Sequence, residues 1–406
     1  MSSVGDGVDT PVNNQGPGVE HYRITYPLTL TSVIAISAVD ISGWVSGGPS
    51  IRYVLLPFMV LLAILIDGRN RLATSTIDTR SYAWILVFAG YLYSVYVIAL
   101  VSGQIKNDST VIVAAILPAL LGPAFFVSTR PASKSGKDRV GNADFLLQLS
   151  ALIFGATAIY DVASASNGEP PAHFNHETAF IAVLILCLPA SRFSKLSKAM
   201  VVVALAMGGV HYASATTIAI LMAGLMTYLS LSYLTPRVSI ALIFTTLVAG
   251  LSALPFLESL LDRFYNSFGR VDNTGTRQVL WTQAMEIWDE NFLFGSGASE
   301  PITAIANIRG SLQFVPFHNS FLSLAVFGGL IALVLFAVPP VRLLIRAFRS
   351  IAIERSWAKI WAPALVAAFI SMSVNPILES LVTALPFYTL VFCGIASNHK
   401  DEFTDA

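Results

Sequence analysis

The sequence predicts an all-α polytopic membrane protein with about twelve transmembrane helices and one large helical loop on the extracytoplasmic side. Three observations carry that reading. First, 55% of the 406 residues are hydrophobic and only 12% are charged, against about 25% charged residues in a soluble domain. Second, mean hydropathy is +0.68, more apolar surface than a soluble fold of this size can hide in its own core. Third, the apolar residues fall into runs long enough to span a bilayer, and the basic residues gather in alternate connections between them.

The runs begin near Pro27, Ile51, Tyr82, Thr110, Phe145, Glu177, Ala199, Thr216, Val238, Asn319, Ile360 and Ser380. A hydrocarbon core about 30 Å thick needs roughly 20 helical residues. Bare backbone polar groups are not tolerated there, so each run is expected to be a helix, with no strands in the membrane part. The stretch 199–233 is too long for one span and divides at Tyr212–Ala215. The domain boundaries that follow are a cytoplasmic tail at 1–25, nine helices over 26–254, a loop at 255–318, three helices over 319–396 and a second cytoplasmic tail at 397–406. The first 25 residues are polar, with no basic leader or cleavage signal, and read as a disordered cytoplasmic segment.

Orientation follows from charge. With the N-terminus inside, eighteen of the 24 basic residues lie in cytoplasmic segments; only Arg52, Lys106, Arg263, Arg270, Arg277 and Arg309 lie outside. The split favours both termini in the cytoplasm and an even number of spans. The 24 acidic residues cancel the 24 basic ones overall, and no basic cluster suits a nucleic-acid partner. Cys187 and Cys393 sit in apolar runs, which fits neither a disulfide framework nor a cysteine metal site. His173, His176 and Glu177 form a loose group that matches no metal motif.

The loop from Pro255 to His318 is the longest non-apolar segment. Loops of that length with internal periodicity are usually functional. Leu280, Trp281, Ala284, Ile287, Trp288 and Asn291 recur at helical spacing across 276–292. Thr274 or Thr276 caps the start, and Gly295–Ser296–Gly297 ends the helix. Arg277 and Trp281, four apart, share a face. The tryptophans suit a helix lying on the membrane interface.

The order of these residues is specific. TGTRQVLWTQAMEIWDENFLFGSGAS, followed about twenty residues later by HNSFLSLAVFGGLIALVLF, resembles the O-antigen ligase and O-antigen polymerase family. The pattern is an arginine, a tryptophan four residues on, a Gly-x-Gly, then a His-Asn pair opening a helix that contains a glycine pair. The resemblance is specific over 274–338. It implies a bacterial inner-membrane glycosyltransferase that takes its glycan from an undecaprenyl-diphosphate donor, uses no cofactor and no metal, and passes the glycan to an acceptor hydroxyl on the outer face. The acceptor is another glycan in a polymerase and the lipid A core in a ligase. A flippase and a chain-length regulator are implied as partners, alongside the bilayer itself.

The residue chemistry suits that reaction. Arg277 offers a permanently charged planar fork for diphosphate oxygens. His318 titrates near neutrality and suits a general base for the acceptor hydroxyl. Taken singly, an arginine in an outer loop is more often a solvated charge, and a histidine at a helix mouth more often a cap; the motif raises both to catalytic candidates. Substrate-binding candidates are Asn319, Trp281, Arg270, His211 and Glu379, the last in the turn NPILES. Of these, Trp281 reads more readily as an interface anchor than as a sugar platform. One departure stands out. Family members often carry a basic residue after a serine where this chain has Ser214 followed by Ala215. His211 and Arg270 are the candidates to replace it, and its absence favours a polymerase over a ligase. Asp40, Asp161 and Asn375 lie toward outer helix ends, where ionisable and polar groups are functional candidates by default. A polysaccharide transporter is the competing class, but no internal symmetry of two halves supports it.

Overall fold

The computed structural model describes residues 79–103, 137–164, 178–188, 192–211, 215–233, 274–297, 303–308, 311–349, 352–375, 377–379 and 381–397, with isolated positions 31, 34, 35 and 238. Among these residues lie nine helices and one short hairpin. The helices are α1 (Thr79–Val101), α2 (Lys137–Ser164), α3 (Ala179–Cys187), α4 (Arg192–His211), α5 (Ala215–Tyr233), α6 (Thr274–Glu290), α7 (Ser320–Arg349), α8 (Ala352–Met372) and α9 (Leu381–Ser397). The hairpin pairs β1 (Thr303–Ile308) with β2 (Ser311–Pro316), antiparallel, from Thr303 opposite Pro316 to Ile308 opposite Ser311.

Eight of the twelve anticipated runs coincide with described helices; those beginning near Ile51 and Thr110 lie outside the described residues, as do those near Pro27 and Val238 apart from the isolated positions. Arg80–Val101, Leu147–Ser164 and Ser320–Arg349 are long and apolar enough to cross a membrane, and Thr217–Tyr233, Ala358–Met372 and Thr383–Ile395 form shorter apolar helices. The division between α4 and α5 falls at 212–214, where the length argument placed it. α7 continues past Arg342 and Arg346 to Arg349, and α8 begins at Ala352. Pro339 and Pro340 do not end α7, since neighbouring helices and local adjustments re-satisfy freed backbone groups in membrane helices.

The core is built around α3, α8 and α9. Ala179 through Ile185 of α3 are all buried, as are Trp361, Ala364, Leu365 and Ala368 of α8 and Leu385, Phe387, Phe392 and Cys393 of α9. Phe336 of α7 ties the bundle together: its ring lies 5.5 Å from Phe88 of α1, 6.2 Å from Phe369 of α8 and 5.5 Å from Phe387 of α9. Gly394 admits this packing, because a Cβ there would press on the Trp361 ring and Leu343. The outward faces of α1, α4 and α5 remain apolar, with Val87, Tyr93, Ile98, Val202, Met222 and Leu225 exposed. Lipid is the solvent that makes such a surface stable, and the chain is a membrane protein.

A second, smaller core joins the loop to α7. Leu280, Ala284, Phe317 and Val326 are fully buried, with Trp281, Ile287, Trp288 and Leu322 packed around them. These include the residues whose spacing predicts α6. The helix runs Thr274–Glu290, two residues earlier than its periodicity indicates. The hairpin was not anticipated: the loop reads as helical, yet 303–316 forms two strands, with β1 against α6 and β2 leading into His318.

Candidate functional site

The site is assembled where α6, the end of β2 and the start of α7 meet. Asn319 caps α7: its Oδ1 accepts the N–H groups of Phe321 at 3.0 Å and Leu322 at 3.1 Å. Asparagine is a preferred cap, and such a bond contributes on the order of 1 kcal/mol. The side-chain oxygen that the sequence offers for substrate is therefore engaged by the helix, and the amide nitrogen is the part of Asn319 the cap does not use.

His318 precedes the cap with φ 51°, in the left-handed region. It is the one non-glycine residue so placed among the described residues. Such backbone is costly, about 1–3 kcal/mol, and persists only where surrounding structure holds it. The Trp281 indole N–H supplies one restraint, donating to the Phe317 carbonyl at 3.0 Å. Burial of Phe317 in the small core supplies another. Trp281 is thus a fixed strut between α6 and the histidine turn, with part of its ring in the core. Trp288 donates to the Phe292 carbonyl at 2.9 Å and stacks on the Phe292 ring at 5.1 Å.

Arg277 lies one helical turn before Trp281 and is half-buried. Its guanidinium is close enough to act on His318, whose pKa is held below the usual imidazole value by burial first and by the Arg277 charge second. Both effects disfavour the imidazolium. The arrangement sets a neutral imidazole, able to accept a proton at neutral pH, beside a permanent cation.

The two glycine pairs of the motif meet each other. Gly329 sits at φ 65°, ψ −165°, which interrupts α7. Backbone groups of α7 around that break pair with the segment that follows α6. Leu330 N donates to Phe292 O at 2.9 Å and Ile331 N to Leu293 O at 3.3 Å; Ser296 donates through N and Oγ to Val326 O at 2.7 and 2.9 Å. Gly295, at φ 71°, lies against Phe327 and Gly329, so a Cβ at either glycine would collide with backbone. Tyr91 of α1 donates to Gly328 O at 2.9 Å. The Gly-x-Gly and Gly-Gly elements are a backbone-to-backbone joint that fixes α6 over α7.

Glu379 lies behind this start of α7, in the turn between α8 and α9. Its Oε2 is 2.7 Å from the Ser320 hydroxyl, while Oε1 is buried without a hydrogen-bond partner. Burial pushes its carboxyl pKa up, against the opposing influence of the Ser323 and Ser320 hydroxyls and the turn backbone. The residue is half-buried beside the first residue of α7. The backbone of His211 closes α4. Arg270, Asp40, Ser214 and the 173–177 group lie outside the described residues. Asp161 is buried in α2 and Asn375 in the α8–α9 turn.

Sequence reasoning missed Tyr91, Ser320 and the backbone joint. Tyr91 is 237 residues from its acceptor, and no local pattern encodes that pairing. Ser320 directly follows the His-Asn pair and carried no signal beyond its place at a helix start.

No curated protein matches the chain. A family model described as O-Antigen ligase matches residues 200–337. That stretch contains α6, the histidine turn and the glycine joint, with Arg277, Trp281, His318 and Gly328–Gly329. Over residues 200–337, about a third of its length, the chain is similar to the O-antigen ligase family.

Proposed function

We propose that the protein polymerises undecaprenyl-diphosphate-linked repeat units of an O-antigen or exopolysaccharide at the outer face of the inner membrane. The observation that carries this reading is the pairing of a half-buried Arg277 with a His318 held neutral beside it. Polymerisation makes a bond between the acceptor hydroxyl oxygen and the anomeric carbon of the donor sugar. The bond from that carbon to the diphosphate oxygen breaks, and the diphosphate leaves with the electron pair. His318 takes the hydroxyl proton. Arg277 binds diphosphate oxygens, and the attraction strengthens as negative charge builds on the leaving group. The arginine fork does the work that a divalent ion does elsewhere, so the reaction is metal-independent in this proposal. Trp281 and Asn319 set the geometry of the turn, and His211 and Arg270 are the candidates for a second phosphate contact. A flippase would deliver the donor, and a chain-length regulator would act on the product.

The ligase reading, with lipid A core as acceptor, is favoured by the description of the matched family. The polymerase reading is favoured by Ala215 after Ser214, where a basic residue is often found. Purified enzyme given lipid-linked repeat units separates them. Glycan ladders that form with excess EDTA and no lipid A core support a metal-free polymerase. Transfer that requires lipid A core supports the ligase, and activity lost in EDTA and restored by a divalent ion contradicts the arginine mechanism.

A further inference from the structure

The hydrogen bonds around Ser320 do not balance if Glu379 is a carboxylate. The Ser320 hydroxyl accepts the Leu378 N–H at 3.0 Å. It lies 3.1 Å from the Asn375 carbonyl and 2.7 Å from Glu379 Oε2. A hydroxyl has one proton and two lone pairs. With an ionised Glu379, that one proton faces two acceptors and one lone pair stays empty. A proton on Glu379 Oε2 removes the conflict: it donates to the second Ser320 lone pair, and the Ser320 proton goes to the Asn375 carbonyl. Burial points the same way: Glu379 Oε1 is buried without a hydrogen-bond partner, and burial, which disfavours the charged form, outweighs the Ser320, Ser323 and backbone donors that favour it.

We propose that Glu379 is a positioning residue held as a neutral carboxylic acid, whose proton completes the Ser320 junction and fixes the start of α7 beneath His318. It acts through Ser320 and Asn319, and its catalytic consequence rests on the reading of His318 as the acceptor base. The Ser320 N–H also donates to the Asn375 carbonyl at 3.2 Å, so the α8–α9 turn grips the first residue of α7 at several points. Glu379 lies beyond the matched stretch 200–337 and adds a second segment of chain to the site.

The groups that act on Glu379 are the Ser320 and Ser323 hydroxyls of α7 and the Leu378 and Glu379 backbone; no charged side chain is among them. Nearby, His318 answers to burial and to Arg277. The folded-state pKa of Glu379 is raised. Its contribution to stability is therefore complete below the ordinary carboxyl value and is lost as pH rises through the raised value.

Infrared difference spectroscopy of the purified full chain near pH 7 tests the protonation state without substrate. The proposal expects a protonated-carboxyl C=O band that Glu379→Gln abolishes and Ser320→Ala displaces. Glu379→Gln, which supplies an N–H in place of the O–H, should keep turnover within about threefold of the parent. It should also flatten the decline of activity and thermal midpoint on raising pH. Glu379→Ala should lower turnover about tenfold or more. A carboxylate signature at Glu379, or a Gln variant that folds yet falls as far as Ala, overturns the proposal. So does full turnover in a folded Ala variant. If Glu379→Gln fails to fold, the Ser320→Ala displacement decides alone. Because the band is read without substrate, its presence in a protein with no glycan turnover supports the neutral acid and counts against the polymerase reading.

Discussion

At the scale of residues, Arg277 and His318 form one electrostatic unit. A cation beside an imidazole lowers the imidazole pKa, and burial lowers it further. A base works in its neutral form, so activity should rise with pH through that lowered value, placing the acidic limb below the usual histidine range. Replacing the cation tests the coupling. In Arg277→Gln the burial effect remains and the charge effect goes, so the acidic limb of residual kcat/KM should move to higher pH. An unmoved limb would mean that the two side chains are not neighbours. Both residues were legible in the sequence, because an arginine four before a tryptophan and a His-Asn pair opening a helix form a recognisable series. Their roles were less legible. Asn319 reads as a sugar ligand, yet its oxygen caps α7; Trp281 reads as an interface anchor, yet its indole N–H holds the Phe317 carbonyl. Helix caps and indole bonds depend on where the backbone turns, which residue identity alone does not state.

At the scale of elements, the loop is fastened to the membrane helices by the small core and by the joint of two glycine segments. The periodic stripe of α6 disclosed the core, because helical spacing of apolar residues requires something to cover it. The joint was hidden. Glycine pairs read as turn or kink signals, and nothing in either segment says that the two meet. The hairpin was hidden too, since its short strands fall between a strong helix signal and a strong membrane signal. Gly329→Ala should be severe: the residue needs φ 65°, and a Cβ would press on the Leu293 carbonyl. Left-handed strain alone costs about 1–3 kcal/mol, and the collision adds to it. A thermal midpoint in detergent several degrees below the parent is the expected result. An unchanged midpoint would mean that the joint does not bear on stability.

At the scale of the whole molecule, composition and hydropathy disclosed a helical membrane protein, and eight anticipated runs correspond to helices among the described residues. Helix contacts were not legible. All-round apolar helices such as α1 carry too little asymmetry to reveal which face meets a neighbour and which meets lipid. The reach of α7 past Pro339–Pro340 to Arg349 was likewise not legible, because hydropathy ends where the arginines begin and says nothing of whether the helix does. The uneven distribution of basic residues predicts an outer 255–318 loop and cytoplasmic termini. Alkaline phosphatase fused at Asn307 should be active and at Lys400 inactive; the reverse pattern would invert the topology and place the site on the wrong face for its donor. The central claim is that His318 takes the acceptor proton beside a diphosphate held by Arg277. The most direct test is the turnover of lipid-linked repeat units by purified His318→Gln, with folding verified by its thermal midpoint. Glutamine can keep a hydrogen bond but cannot accept a proton at neutral pH, so turnover should fall about 10²–10⁴-fold while the protein stays folded. Near-parental turnover in His318→Gln would contradict the account, leaving the histidine a structural residue at the mouth of α7.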